Sequence, residues 1–463
     1  MNDKRTSAPR LIFAFVAALV AAHGADVSPS EFKARRAELM RRLPNGIVLL
    51  HARSDFISQT AWYQHSFHED PSFYYFFGGG TNLSSILAVD GKNRETWLFA
   101  PTKLSGLPVP RPAPGANLVG QLGIEHAAPW EEFVPWIERR LASNPPPTLY
   151  VDDTDNWWGE RRFGRDIPES NPPGLDLIVD SKLLWRLSIE RRWPAAKVQS
   201  ASPVIHEMRF VKSPAEIERM RAASKATVNA WFRGAETIGN GDSPRQVEAA
   251  VVRACTDNGA QGPAFWPMLT GFHFDYYDPP KLPEGRLVQL DLGCDLDRYH
   301  TDTKRPVPVS GRFTPEQKAI WKFFVSAYRA GLTAIYDGAR RDDVFEAMIR
   351  DADRRKSRVP SAPAQKAAAA IMDRQGASRS WLLHSMGLEC CEGEPEILRA
   401  GMTVAFEPSI TVEGQSYTVE DVTLVTKNGY EVLAPLPYEA AEIERAMRPS
   451  SSLSKPRHPR RAT

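Results

Sequence analysis

The stretch LVQLDLGCDLDRYHTD, residues 287–302, decides how this 463-residue chain is interpreted. Apolar residues alternate along its first part, and this pattern predicts a buried β-strand. Successive side chains of a strand point to opposite faces, so Asp291 faces away from the apolar row. A short connection leads back to Asp302, which predicts a hairpin that brings the two carboxylates near one another.

Three further polar residues stand in or beside apolar runs. Glu407 ends the alternating run GMTVAFE, Glu420 lies in VEDVTLVT, and His384 lies in WLLHSMG. Each alone has an ordinary explanation as a turn former or a core residue, but buried acids are costly unless paired, protonated or metal-bound. Four acids and one imidazole are explained together by a shared cation site. Oxygen-rich ligation with one imidazole suits Mn, Co or Zn, and carboxylates can bridge two ions.

The second half of the chain combines helix starts with strand candidates. Three segments place a hydroxyl cap, a proline at the first helical position and a Glu or Gln that can close a capping box, at Ser213, Ser243 and Thr314. They predict three helices. The region 203–445 therefore reads as one α+β domain. Its strand candidates are Leu287–Leu292, Thr303–Val309, Met402–Phe406 and Tyr417–Val425.

The composition indicates a globular chain and excludes the disordered and collagen-like classes. Hydrophobic residues make up 42% of the sequence and charged residues 25%, with a formal charge of +2. Residues 1–10 carry +2 and residues 448–463 carry +5, which leaves −5 for the body between them. This body lacks the basic footprint typical of nucleic-acid-binding domains, so we expect no nucleic-acid partner.

The two ends of the chain have their own patterns. Basic residues precede the apolar run LIFAFVAALVAA, residues 11–22, which is too short to span a bilayer but suits a signal-peptide core. We expect a signal peptide at 1–24, with an uncleaved anchor or a buried helix as the alternative. The mature protein would then be exported, periplasmic or secreted, without stable membrane insertion. Residues 448–463 are interpreted as a disordered basic tail.

The four cysteines do not form a framework typical of small disulfide-rich domains, because they are few and irregularly spaced. They are Cys255, Cys294, Cys390 and Cys391. We interpret them as small buried apolar side chains rather than as redox groups.

The order Asp, Asp, His, Glu, Glu resembles that of the pita-bread metallopeptidases, which include methionine aminopeptidase, prolidase and Xaa-Pro aminopeptidase. IHEMRFVKSPAEIERMR (205–221) is similar to the segment entering their catalytic domain, and PSFYYFFGG (71–79) to a landmark of their creatinase-like N-terminal domain. The resemblance covers most of residues 30–435 and implies a smaller α/β N-terminal domain at 30–200 before a pita-bread catalytic domain. The matching ligand flanks are QLDLGCD, HTDTKR, HSMGLE, AGMTVAFEPSI and VEDVTLVT.

The resemblance implies a metal-dependent aminopeptidase, Xaa-Pro type, that acts on peptides. Asp302 and Glu420 would bridge two divalent ions, most simply Mn with Co or Zn as alternatives, and Glu407 would also be the general base. A homodimer is one arrangement left open. The full ligand set carried over is Asp291, Asp302, His384, Glu407 and Glu420.

Several outer positions depart from the pattern. The family's HYxP-like segment corresponds to YYDP, residues 276–279, so Tyr276, or His273 three residues earlier, would supply the histidine's hydrogen bond. Two further histidines correspond to Ser380 and Cys391, and an arginine to Thr418. These departures keep two alternatives open: a metal-binding pseudoenzyme or peptide-binding protein on the same fold, and a creatinase-like hydrolase that does not act on peptides. His300, on the strand face of Asp302, is interpreted as a solvent-facing or neighbouring histidine rather than a ligand.

Overall fold

The structure is a computed structural model. It describes residues 27–52, 69–78, 84–101, 103–104, 107–108, 123–153, 181–265, 269–270, 282, 284–359, 361–373 and 379–448. The predicted signal peptide, the tail beyond Arg448, and both Tyr276 and His273 lie outside these residues. The chain divides into two compact units between Phe210 and Val211, with residues 391–393 grouped with the first. The domain limits 30–200 and 203–445 stay predictions.

The first unit is built on a mixed six-stranded sheet and its helices. Its elements are α1 (Pro29–Arg42), β1 (Gly46–His51), α2 (Pro71–Phe77), β2 (Ile86–Asp90), β3 (Glu95–Ala100), β4 (Lys103–Leu104), β5 (Leu107–Pro108), β6 (His126–Pro129), α3 (Phe133–Leu141), β7 (Thr148–Val151), α4 (Ser181–Arg192), β8 (Val198–Ser200) and α5 (Ser202–Phe210). The strand order in the sheet is β6-β3-β2-β1-β7-β8. The strand pairs β1–β2 and β2–β3 are antiparallel, whereas β3–β6, β1–β7 and β7–β8 are parallel.

An aromatic core lies beside this sheet. Trp136 on α3 is buried and packs edge-to-face on Phe99 of β3, with 5.4 Å between ring centroids. Apolar side chains of β1, β7 and α4 join the same cluster. Burying such large rings supplies much of the free energy that holds a sheet and its helices together. The sequence of this region contains short strand-like runs at 47–50, 85–89 and 96–100, which predict β1, β2 and β3.

The helices of the second unit begin where the sequence predicts. Ser213, Ser243 and Thr314 each close a capping box before a helix that starts with proline. Among the described residues, no helix has both the length and the apolar character needed to cross a membrane. The helices are α6 (Pro214–Gly239), α7 (Pro244–Asp257), α8 (Pro315–Leu332), α9 (Arg341–Lys356), α10 (Ala362–Met372) and α11 (Ala440–Ala446).

The strands of the second unit form three sheets. The strands are β9 (Gly262–Pro263), β10 (Leu269–Thr270), β11 (Leu287–Leu292), β12 (Cys294–Leu296), β13 (Tyr299–His300), β14 (Thr303–Pro308), β15 (Arg379–Ser385), β16 (Thr403–Val412), β17 (Gln415–Thr418), β18 (Asp421–Thr426) and β19 (Gly429–Val432). Two sheets have three strands, in the orders β10-β11-β14 and β13-β12-β9. The third has five, with β15-β16-β18-β19 side by side and β17 paired with β16. Mixed helices and antiparallel sheets confirm the predicted α+β class.

Three of the predicted strands have different limits in the structure. The strand predicted at Thr303–Val309 ends at Pro308, and the one predicted at Met402–Phe406 runs over Thr403–Val412. The strand predicted at Tyr417–Val425 is interrupted at Val419 and Glu420. The interruption has a physical cause, because the backbone of Glu420 pairs with Lys304 of β14 instead of with β16, at N–O distances of 3.1 and 3.4 Å. This bridge joins the β10-β11-β14 sheet to the five-stranded sheet.

Interpreting all four cysteines as unbonded apolar side chains is wrong for one pair. Cys255 on α7 and Cys294 on β12 form a disulfide although 39 residues separate them. Both are fully buried. No local pattern in the sequence indicates this contact, because α7 and β12 meet only in the folded unit, where β9 pairs with β12. Cys390 and Cys391 are not disulfide-bonded.

Removing this disulfide is expected to lower the free energy of unfolding by about 2–4 kcal/mol, because the bond restricts the unfolded chain over a long loop. The paired change Cys255→Ala and Cys294→Ala, measured by urea unfolding, tests this. Adding a reductant should destabilise the native protein to a similar extent and leave the double variant unchanged. Equal stability of both proteins in oxidising buffer would contradict the expectation.

Candidate metal centre

Three of the predicted ligands lie close together where the β10-β11-β14 sheet meets the five-stranded sheet. Asp302 lies just before β14, His384 is on β15, and Glu420 lies between β17 and β18. One ligand atom from each lies within 4.8 Å of the others. All three side chains are buried, with exposed fractions of 8%, 1% and 0%. Two carboxylates and an imidazole at this spacing can hold one divalent cation.

The polar atoms of this group fit a bound cation. Among the described residues, Asp302 Oδ1 and both carboxylate oxygens of Glu420 have no hydrogen-bond partner. His384 Nε2 lies 3.6 Å from Glu420 Oε1, which is beyond hydrogen-bond distance. A buried carboxylate without a partner is strongly unfavourable. A divalent ion would supply the partner that these oxygens lack.

The pKa values of the buried acids also indicate that the site requires a cation. Burial, together with the nearby charges of Glu420 and Asp291, raises the pKa of Asp302 well above its usual value. Burial and the charge of Glu407 raise the pKa of Glu420 to about 7. Closely placed buried acids resist ionisation unless a cation balances them. These acids can therefore be ionised together near neutral pH only when positive charge compensates them.

The other two predicted ligands are held by a lysine. Lys304 Nζ lies 2.6 Å from Asp291 Oδ2 and also contacts Glu407 Oε1. Burial opposes the charge of this ammonium, but Asp291 and Glu407 outweigh burial and raise the pKa of Lys304 well above its usual value. Lys304 is therefore a positive charge inside the predicted ligand set.

The sequence reasoning missed Lys304, although a signal was present. Side chains two residues apart on a strand share a face, so Lys304 lies on the face of Asp302. The hairpin register also pairs Lys304 with Asp291. Residues directly opposite in an antiparallel pair have neighbouring side chains on one face. The alternation of side chains along β14 and the pairing in the hairpin together place the lysine side chain near both Asp291 and Asp302.

A buried ion pair supports the backbone of the site. Arg305 Nη2 donates to Asp421 Oδ1 at 2.6 Å, and Arg305 Nη1 donates to the carbonyl oxygen of Glu420 at 2.8 Å. Tyr328 and Tyr438 donate their hydroxyls to the other oxygen of Asp421. Arg305 and Asp421 are fully buried. This network fixes the chain segment that carries the Glu420 carboxylate.

Gly293 allows the hairpin strands to approach closely beside the two aspartates. A Cβ at this position would lie 1.5 Å from the carbonyl oxygen of Thr301, which is a steric overlap with backbone. Only glycine fits here without a shift of the segment next to Asp302.

Gly293→Ala is therefore expected to lower the free energy of unfolding by about 3 kcal/mol, at the upper end of the usual cost of overpacking. It should also weaken metal binding, since the backbone next to Asp302 must move. Gly429→Ala is the matched control, because a Cβ there meets no atom within 4 Å. Thermal unfolding with and without Mn²⁺ measures both effects. A variant as stable as the control would show that the hairpin can relax without cost.

The remaining predicted positions are not part of the three-ligand group. His300 Nε2 lies 3.8 Å from Asp295 Oδ2, and its backbone N–H donates to Gly387. Thr418 is buried and donates its hydroxyl to Ser409 Oγ at 2.9 Å. Cys391 is buried, whereas half-buried Cys390 donates its thiol to Asp302 Oδ2 at 3.1 Å. The cysteine contact with a candidate ligand was not predicted from the sequence.

Comparisons with known proteins agree with this geometry. Residues 218–427 match the model of metallopeptidase family M24, and residues 32–107 match the aminopeptidase P N-terminal domain. Together the two matches confirm the resemblance and the two-domain fold predicted from the sequence.

Individual relatives align over most of the chain. The Xaa-Pro aminopeptidase of Haemophilus influenzae is 22% identical over 92% of this chain and 99% of its own length. Xaa-Pro aminopeptidase 3 of Rattus norvegicus is 24% identical over 86% of this chain and 80% of its own. A solved structure of a putative aminopeptidase P from Bacillus anthracis superposes with a TM-score of 0.70 at 22% identity, over 90% of this chain and 98% of that one. At this identity the structural match establishes the fold.

Proposed function

We propose that the chain is a metal-dependent aminopeptidase, because residues 218–427 match the model of metallopeptidase family M24 and residues 32–107 match the aminopeptidase P N-terminal domain. It would hydrolyse the N-terminal peptide bond of peptides, with a preference for Xaa-Pro sequences. The preference is supported by relatives that are named Xaa-Pro aminopeptidase and align with almost the whole chain.

The observation that carries the proposal is the buried group of Asp302, His384 and Glu420, whose ligand atoms lie within 4.8 Å of one another. A divalent cation supplies Lewis-acid stabilisation of the negative charge that develops on the scissile carbonyl oxygen, and it activates water near neutral pH. Asp302 and Glu420 bring the negative charge that selects a cation for this position.

We propose Glu407 as the residue that transfers the proton. It lies on β16 across from Leu382 of β15, and its charge contributes to the raised pKa of Glu420. Its carboxylate also contacts Lys304. As general base, Glu407 would take a proton from the attacking water and pass it to the leaving amine.

We propose Mn²⁺ as the ion, with Co²⁺ and Zn²⁺ as alternatives, because two carboxylates and one imidazole form an oxygen-rich site of borderline character. For the second ion predicted by the resemblance, Asp291 and Glu407 would be the additional ligands. Both are the carboxylates that Lys304 contacts.

The test compares peptides with proline at the second position and matched peptides with alanine there. The purified protein is treated with a chelator, dialysed, and assayed with and without added Mn²⁺. Release of the N-terminal residue that requires the metal and favours the prolyl peptides supports the proposal. Bound metal without hydrolysis of either peptide set would overturn it.

A second candidate is a metal-binding protein that holds peptides without cleaving them. It is favoured by the contact between Lys304 and Glu407, which engages the predicted general base in an ion pair. Peptide binding measured by calorimetry, with no product after long incubation, is the result that would select this candidate over the enzyme.

We further propose that the protein is exported. The Cys255–Cys294 disulfide supports this, because disulfides persist in oxidising compartments and are rare in the cytosol. Fractionation of cells that express the full chain should place it outside the cytosol, with a mature N-terminus near residue 25. The homodimer stays a prediction, which light scattering of the purified protein would check.

A further inference from the structure

Lys304 occupies the part of the centre where a second cation would be bound. Its ammonium lies 2.6 Å from Asp291 Oδ2 and contacts Glu407 Oε1, and its side chain is only 13% exposed. Asp291 and Glu407 are the two predicted ligands that do not belong to the group of Asp302, His384 and Glu420. The five predicted ligands therefore divide into three that face each other and two that face a lysine.

The backbone holds Lys304 in this place from both sides. On one side it pairs with Asp291 in the β11–β14 ladder. On the other side it forms the bridge to Glu420, with N–O distances of 3.1 and 3.4 Å. Because Lys304 is paired on both sides, its backbone cannot slide relative to the neighbouring strands. Its ammonium therefore stays within reach of the carboxylates of Asp291 and Glu407.

The positive charge of Lys304 disfavours a second divalent ion beside it. Asp291, Asp302, Glu407 and Glu420 bring four negative charges, and Lys304 returns one positive charge. One divalent ion then leaves a single net negative charge. A second ion would have to take the two carboxylates from the ammonium and then lie beside it. Like charges at such short distances repel strongly in a buried site.

We propose that the ammonium of Lys304 takes the place of the second divalent ion, so that the centre binds one ion, held by Asp302, His384 and Glu420. Lys304 holds Asp291 and Glu407 in position beside this ion. The inference rests on the proposed metal-dependent function for the identity of the site, but it concerns the number of ions and not turnover.

The experiment counts the bound ions and measures whether two ions are magnetically coupled. The full protein is loaded with excess Mn²⁺ and desalted, and the metal is measured by elemental analysis and by electron paramagnetic resonance. One ion per chain is expected, with the six-line spectrum of an isolated Mn²⁺. Lys304→Ala should bind a second ion and show the spectrum of a spin-coupled pair. Lys304→Arg keeps the charge and should still bind one.

Lys366→Ala is the matched control, because Lys366 is an exposed lysine that also pairs with a glutamate, Glu413. It should bind one ion, like the native chain. Circular dichroism establishes that each variant is folded, and the count in the native protein tests the inference without any variant.

The outcomes separate this inference from the proposed function. Two coupled ions in the native protein would overturn the inference and leave the aminopeptidase intact. A folded Lys304→Ala protein that still binds one ion would also overturn it, because the lysine would then not be what excludes the second. One ion without peptide hydrolysis would support the inference and overturn the function. No bound ion at all would overturn both.

Discussion

Glu420→Gln is expected to lower kcat/KM for peptide hydrolysis by about 10³-fold, in the range that follows removal of a group that stabilises developing charge. The amide keeps the shape of the side chain but removes the negative charge from a fully buried ligand. Bound metal should fall with activity, because only two of the three groups that face the ion would remain unchanged. The comparison is made on the chelated and the Mn²⁺-loaded protein.

The control for this change is Glu413→Gln, which alters an exposed glutamate whose partner is Lys366. It should leave metal content and activity unchanged. The chelated Glu420→Gln protein should be at least as stable as the chelated native protein, since the variant has one fewer acid in the buried group. Full metal content and full activity in Glu420→Gln would exclude Glu420 as a ligand.

Asp421→Asn is expected to lower the free energy of unfolding by about 3–5 kcal/mol, because it leaves the guanidinium of Arg305 buried without its counter-charge. Asp421 also accepts hydrogen bonds from Tyr328 and Tyr438, so one substitution disturbs several buried groups. Urea unfolding measures this loss directly, provided that the m-value is the same in the variant and the native protein.

The same substitution at an exposed ion pair provides the control. Asp353 lies 2.6 Å from Lys356 on α9, and both side chains are more than half exposed. Asp353→Asn should change stability by less than about 1 kcal/mol, as exposed pairs usually do. A similar loss of unfolding free energy in both variants would show that the buried Arg305–Asp421 pair contributes no more to stability than an exposed pair. Metal binding should also weaken in Asp421→Asn, since Arg305 bonds to the backbone of Glu420.

Local patterns were sufficient to predict much of the second unit. Each capping box uses residues within four positions of one another, and Ser213 and Thr314 accept from the backbone as such boxes require. The alternation in residues 287–292 likewise predicts β11 with the bounds that the structure has. These features depend on neighbours in the chain, and neighbours are visible in a sequence.

The contacts that were missed join residues far apart in the chain. Nothing local relates Cys255 to Cys294, or Arg305 to Asp421, because sheet and helix packing alone brings them together. The break at Glu420 has the same origin, since it follows from pairing with Lys304 across 116 positions and not from the residues around it. Such pairings depend on which strands become neighbours.

Residue order and local alternation were enough to indicate an α+β chain with four acids and one histidine beside apolar runs, in an order that resembles the metallopeptidases. How those residues divide into two groups depends on the fold. Asp302, His384 and Glu420 lie around one position, and Lys304 lies between Asp291 and Glu407. Strand register causes this division, because the pairing of β11 with β14 and the bridge to Glu420 bring particular charges together.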